Sequence, residues 1–131
     1  MMKALKINVI DQTVTEVDYS DYEDICKNLT TSHKEVSLFT RVLIDYADYD
    51  GDAIFVDDEG LLIDNNYGFK FEGYNGVLMG NGLVLGSELG ETAEPDITLD
   101  DLKKKITFLG LQKIDMSYHG FRVMPLEGGL A

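Results

Sequence analysis

The chain of 131 residues is long enough for one domain and too short for two domains of ordinary size. Its hydrophobic content of 44% and its 13 glycines are typical of a folded protein, which excludes a disordered tail. The formal net charge of −13 disfavours direct binding to nucleic-acid phosphates, and no apolar run approaches the ~20 residues that span a bilayer.

The pattern of apolar, capping and turn residues predicts an α+β fold, mainly an antiparallel β-sheet with two short helices packed on it as a single layer. In chain order, we predict strands over 4–10 and 13–17, a helix over 21–29, strands over 36–44, 53–56 and 61–63, glycine-rich strands over 68–90, a helix after Pro95 and a last strand over 114–123. We expect residues 1–131 to form a single domain, with 126–131 as a loose tail.

One turn and two helix starts are predicted from short local patterns. Asp11-Gln12 separates two alternating segments and predicts a hairpin with a two-residue connection. Ser20 followed by Glu23 has the spacing of a capping box, in which each residue satisfies a backbone N–H of the other. Thr98 and Asp101 repeat that spacing and predict the start of the second helix.

The charges are unevenly distributed along the chain. Between Val42 and Leu102 there are fifteen acidic residues and one basic residue, Lys70, which predicts an anionic face. Tyrosines lie among these carboxylates, and tyrosine provides rigid contact area at interfaces while carboxylates attract a basic partner. The residues predicted to bind a protein partner are Asp45, Tyr46, Asp48, Tyr49, Asp50, Asp52, Asp57, Asp58 and Glu59.

The glycine-rich region over 67–86 supports an alternative prediction, a pocket for a small molecule. Glycines let a backbone approach a ligand closely, and aromatic rings offer it a stacking surface. The residues predicted to line this pocket are Phe69, Phe71, Tyr74, Asn75 and Asn81.

Several motifs for metals, cofactors and catalysis match the sequence only in part. Residues 48–59 place carboxylates at four ligand positions of an EF-hand loop, but Ala53 stands where that loop needs glycine. Residues 80–86 lack the strand–helix context of a dinucleotide fingerprint and predict a glycine-rich hairpin instead. His33 and His119 have no metal-ligand spacing, and Cys26 predicts a small buried residue of an amphipathic helix. We therefore predict no catalytic residue, no metal and no cofactor.

Two short motifs resemble those of a known group of proteins. Residues 55–62, Phe-Val-Asp-Asp-Glu-Gly-Leu-Leu, are followed by Gly-Asn-Gly-Leu-Val-Leu-Gly over 80–86 and by an acidic segment over 88–91. With the opening residues 2–5, this arrangement resembles a family of small phage and plasmid proteins of unknown function, over about residues 2 to 100. The resemblance implies a mobile genetic element and an accessory role towards its host, such as counter-defence.

The function predicted from the sequence is therefore binding rather than catalysis. The leading hypothesis is an accessory protein of a phage or plasmid whose acidic surface imitates the charge of DNA and engages a basic host protein. The alternative is a protein that binds or sequesters a small molecule. The single cysteine and the lack of a signal-peptide pattern favour the cytoplasm of a bacterial host. Free strand edges allow a homo-oligomer, which no specific residue predicts.

Overall fold

Ten strands and two helices make up the fold, which is an α+β fold as predicted. The computed structural model describes residues 2–32, 35–43, 51–58, 65–74, 76–88, 91–117 and 120–125. The strands are β1 Met2–Asn8, β2 Thr13–Tyr19, β3 Phe39–Leu43, β4 Ala53–Asp57, β5 Asn65–Phe71, β6 Leu78–Met79, β7 Gly82–Glu88, β8 Glu91–Ala93, β9 Ile106–Ser117 and β10 Gly120–Pro125. The helices are α1 Tyr22–Leu29 and α2 Leu99–Lys105.

The strands form two antiparallel sheets where the sequence predicted one. The first sheet has the order β2-β1-β7-β4-β3, with β8 paired to the far end of β7. The second sheet has the order β10-β9-β5-β6. The chain passes from the second sheet to the first at Gly80, whose φ of +84° is a conformation that glycine adopts without strain. Strands β6 and β7 therefore belong to different sheets although they are separated by two residues.

Alternate residues of the first sheet enter two separate cores. On one face, Leu83 and Leu85 of β7 pack with Ile25 and Leu29 of α1. On the other face, neighbouring residues of the same strands pack against the second sheet and α2. This second core includes Ile7, Ile54, Phe69, Phe71, Val84 and Leu102. The first sheet is thus buried on both faces, which explains the nearly unbroken apolar sequence of its central strand.

Most predicted elements are confirmed, with two corrections near the N-terminus. The first hairpin turns through four residues, because β1 ends at Asn8 and β2 begins at Thr13. Helix α1 is capped by Asp21 rather than Ser20: the Asp21 carboxylate accepts from Asp24 N at 3.0 Å, while Asp24 Oδ2 accepts from Ser20 N. Both residues are good caps, so the pattern alone could not separate them. The cap of α2 at Thr98 is confirmed.

The predicted last strand is in fact a hairpin of two strands. Strand β9 begins directly after α2 and pairs with β10, in which Gly120 is the first residue. The register between β5 and β9 shifts beside Gly110, whose φ is +74°, so the glycine lies at a bulge. The predicted strand over 61–63 and the predicted tail over 126–131 lie outside the described residues.

Two buried polar side chains fix the connections between these elements. The Asn81 amide oxygen accepts from Val9 N at 2.9 Å, and its nitrogen donates to the Asn28 carbonyl at 3.1 Å. The Asp52 carboxylate accepts from Asp96 N at 2.9 Å and from Ile97 N at 2.9 Å. Asn81 therefore ties the first hairpin to the end of α1, and Asp52 holds the segment before α2 against the first sheet.

We expect Asp52→Ala to lower the free energy of unfolding by about 2–4 kcal/mol, because two backbone N–H groups lose their acceptor. Urea denaturation measures this change. Asp100→Ala, at an exposed position of α2, is the matched control and should change stability by less than about 0.5 kcal/mol. Equal stability of the two variants would contradict a structural role for Asp52.

Asp52 should also make stability depend on pH. Burial raises the pKa of Asp52 above its ordinary 3.8, against the two N–H donors, which lower it. The folded state then holds this proton more tightly than the unfolded state. The resulting stabilisation is complete below pH 3.8 and is lost as pH rises through the higher native pKa. The stability difference between the wild type and Asp52→Asn, measured by urea denaturation across this range, should therefore shift towards the variant as pH rises. A constant difference would contradict the raised pKa.

Candidate binding surface at the edge of the first sheet

The predicted protein-binding residues are divided by the structure. Asp45, Tyr46, Asp48, Tyr49, Asp50 and Glu59 lie outside the described residues. Asp52 is 1% exposed, and its carboxylate is hydrogen-bonded to the segment before α2. It is therefore not part of the predicted acidic surface. Asp57 is buried at the end of β4, while the adjacent Asp58 is exposed. Within the described residues, Asp57 and Asp58 are thus what remains of this predicted surface.

Of the residues predicted for a ligand pocket, Phe71 and Tyr74 line one depression of about 390 Å³, and Phe69 and Asn81 do not line it. Phe69 and Phe71 are buried in the core between the two sheets, and Asn81 is buried with both ends of its amide bonded. These side chains are therefore structural. Tyr74 is 39% exposed at the surface, and Asn75 lies outside the described residues.

Strand β3 forms one edge of the first sheet. It pairs with β4 on one side, and no strand of the described residues pairs with its other side. Leu38, directly before the strand, is 53% exposed, although an isolated exposed leucine is common. What distinguishes this edge is a depression near it on each face of the sheet: one is lined by residues of β3 itself, and the other by α1 and the segment that enters β3.

The first depression, which we call the helix-side groove, lies between α1 and the segment that enters β3. It has a volume of about 420 Å³, and its lining includes Tyr22, Cys26 and Val36, with Glu23 and Glu35 among the polar residues. The Tyr22 ring stacks in series with Phe39 and Phe55, at centroid distances of 4.8 Å and 5.2 Å. The groove therefore continues the aromatic part of the core to the surface.

Hydrogen bonds hold α1 against the start of β3. The Ser37 carbonyl accepts from Tyr22 Oη at 2.9 Å and from the Cys26 thiol at 3.6 Å. Loss of hydration around the phenol, and then the neighbouring Cys26, raise the pKa of Tyr22 above its ordinary value, so the hydroxyl keeps its proton at neutral pH. Tyr22 can therefore remain the donor, and the wall of the groove is held in place.

The second depression, which we call the acidic depression, lies on the opposite face of the sheet beside the same strand. It has a volume of about 180 Å³ and an apolar floor, and its polar lining is Thr40, Asp57, Asp58 and Tyr74. It brings together Asp57 and Asp58 from the predicted acidic surface and Tyr74 from the predicted pocket, although Asp57 is buried and Asp58 alone of the two carboxylates is exposed. An exposed carboxylate beside an aromatic ring and an apolar floor suits the cationic head and aliphatic stem of a lysine or arginine.

A second group of exposed carboxylates was not predicted. On the opposite edge of the first sheet, Lys3 Nζ lies 3.0 Å from Glu16 and 3.8 Å from Asp18, and Glu94 accepts from Lys3 N. The hydrogen bond that Lys3 Nζ donates to Glu16, together with the charges of Glu16, Asp18 and Glu94, raises the pKa of Lys3. The alternation of apolar and polar residues in β2 could have indicated this group from the sequence. Its negative charge is partly neutralised by Lys3.

The described residues contain no group of three or more histidine, cysteine, aspartate or glutamate side chains that could hold a metal ion. Asp52 belongs to the EF-hand pattern of the sequence. Its carboxylate accepts hydrogen bonds from the backbone N–H groups of Asp96 and Ile97. Among the described helices, none has the length and apolar character to cross a membrane.

Comparison with known proteins adds no assignment to this geometry. A scan against protein-family models, a search of curated proteins and a search of solved structures each returned no match. The resemblance to small phage and plasmid proteins therefore stays a prediction from short motifs.

Tyr22→Phe should lower the free energy of unfolding by about 0.5–1.5 kcal/mol, because the hydrogen bond to the Ser37 carbonyl is lost while the ring stack remains. Urea denaturation measures the loss. In contrast, Tyr74→Phe removes a hydroxyl at an exposed site and should change stability by less than about 0.5 kcal/mol. If the two variants unfolded alike, Tyr22 would not anchor the groove.

Proposed function

We propose that this protein is a non-catalytic binding protein that engages a basic surface of another protein along the β3 edge. The observation that supports this proposal is a strand edge that no described strand covers, with a depression near it on each face of the sheet. One depression has Tyr22 in its wall, and the other has Tyr74 and the exposed carboxylate of Asp58. Interfaces combine aromatic anchors with a polar rim in this way.

The charge of the protein favours a basic partner. A net charge of −13 attracts cationic surfaces at long range and repels acidic ones. At the surface itself, the exposed Asp58 would meet a cationic group of the partner at short range. Long-range attraction raises the rate of encounter, whereas short-range pairing selects the partner.

A host protein that normally binds DNA carries a basic surface of this kind. With the resemblance to phage and plasmid proteins, this leads to the specific form of the proposal: an accessory protein of a mobile element that competes with DNA for a host protein. The small-molecule alternative has less support, because Phe69 and Phe71, its proposed stacking surfaces, are buried in the core.

Affinity capture from a bacterial lysate tests the proposal. The tagged wild type should retain a basic protein at about 50 mM salt and release most of it at about 500 mM, because screening shortens the reach of surface charges. Asp58→Lys should weaken retention by about fivefold or more, since attraction becomes repulsion. The matched control is Asp100→Lys, which makes the same change of charge on an exposed residue of α2.

The results separate the parts of the proposal. Retention that is equal at both salt concentrations, or equal for Asp58→Lys and Asp100→Lys, contradicts charge-directed binding at this surface. Double-stranded DNA added to the captured complex should displace the protein if the partner uses its DNA-binding surface. A partner that binds DNA and stays captured would leave protein binding in place and overturn the mimicry of DNA.

A further inference from the structure

Strand β3 has backbone groups that point away from the sheet. Asp58 N donates to the Leu38 carbonyl at 3.1 Å, and the register continues through Thr40↔Val56 and Val42↔Ile54. In an antiparallel pair, hydrogen-bonded residues alternate with residues whose N–H and C=O groups point the other way. The backbone groups of Phe39, Arg41 and Leu43 therefore face the free edge.

Side chains of β3 alternate between the two faces of the sheet. Phe39 packs in the core on the α1 face, whereas Val42 packs in the core on the opposite face, and Thr40 lines the acidic depression. A strand placed beside β3 would follow the same alternation, because successive side chains of any strand point to opposite faces. Its side chains would thus face, in turn, the acidic depression and the α1 side of the sheet, where Arg41 and the helix-side groove lie.

The two edges of the first sheet differ in their protection. The β2 edge presents Glu16 and Asp18, which deter the addition of another strand. The β3 edge has one charged side chain within the strand, Arg41, and it follows an exposed leucine. Of these two edges, β3 is therefore the better template for strand addition.

We propose that the free edge of β3 binds an extended segment of the partner as an added β-strand, with basic side chains towards the acidic depression and apolar side chains towards the helix-side groove. This inference rests on the proposed function and names its mode of binding. Main-chain hydrogen bonds to Phe39, Arg41 and Leu43 supply affinity, and the depressions select the sequence. Arg41 lies on the α1 face and repels a basic side chain there. This repulsion favours the arrangement in which the basic side chains of the added strand face the acidic depression.

Synthetic peptides test this mode directly. The probe is a fluorescent ten-residue peptide of alternating valine and lysine, and the control peptide has the same composition with its valines and lysines in separate blocks. We expect the alternating peptide to bind about tenfold more tightly in fluorescence anisotropy, because the block peptide cannot face both depressions correctly. Amide NMR signals of Phe39, Arg41 and Leu43 should shift on binding.

Arg41→Pro removes an N–H that faces the free edge and leaves the pairing with β4 intact. It should weaken binding of the alternating peptide by about fivefold or more, because one hydrogen bond and part of the shape complementarity are lost. An alternating peptide with N-methyl groups at every second residue tests the same bonds without changing the protein, so the proposal is tested even if Arg41→Pro does not fold. The N-methyl peptide should also bind about fivefold more weakly.

Three results would overturn strand addition. These are equal binding of the alternating and block peptides, equal binding of the N-methyl peptide, and NMR shifts confined to residues away from β3. A wild-type dimer that Arg41→Pro dissociates in size-exclusion chromatography would identify a second copy of this chain as the occupant instead. If Arg41→Pro folds and captures the same basic protein from lysate as the wild type, the proposed function stands and the strand mode fails. If neither captures one, the proposed function itself fails.

Discussion

The structure depends on a strand that is buried on both faces. Strand β7 pairs with β1 and β4 on its two sides, while Leu83 and Leu85 face α1 and Val84 faces the second sheet. Gly82 begins this strand where the layers are closest: a Cβ there would lie 3.0–3.2 Å from the side chains of Ile54, Phe69 and Ile7. The apolar area that β7 buries can stabilise both cores only because this residue has no side chain.

Because both faces of β7 are buried, the polar groups of the segments around it need hydrogen-bond partners within the protein. A backbone N–H that is removed from water needs a partner, and Asn81 and Asp52 supply acceptors at opposite ends of the strand. Gly86 allows the segment around Glu94 to approach so closely that a Cβ would clash with its carbonyl oxygen. The acidic character of the chain is thus not only a surface property, since at least one carboxylate is part of the framework.

Local patterns predicted those parts of the fold that depend on neighbours in sequence. The first hairpin, both helices and the cap at Thr98 follow from alternation and hydrogen bonds within a few residues. The division into two sheets did not follow, because a glycine-rich run with apolar residues suits one sheet or two, and only the turn at Gly80 separates them. The same limit applies to the candidate surface. Asp52 and Asp58 look alike in sequence, and burial by distant residues makes one structural and leaves the other exposed.

The candidate surface is built by contacts that the fold already needs. Tyr22 stacks on Phe39, which stacks on the buried Phe55, and the Tyr22 hydroxyl holds the backbone that enters β3. The edge strand is therefore ordered before any partner binds. Binding of an added segment then carries the entropy cost of ordering that segment but not of ordering β3. Backbone hydrogen bonds can form with a strand of almost any sequence. The choice of partner sequence therefore has to come from side-chain contacts on the two faces of the sheet. The exposed carboxylate of Asp58 on one face and the guanidinium of Arg41 on the other supply that selection, because exchanging the two kinds of side chain would place cations beside Arg41.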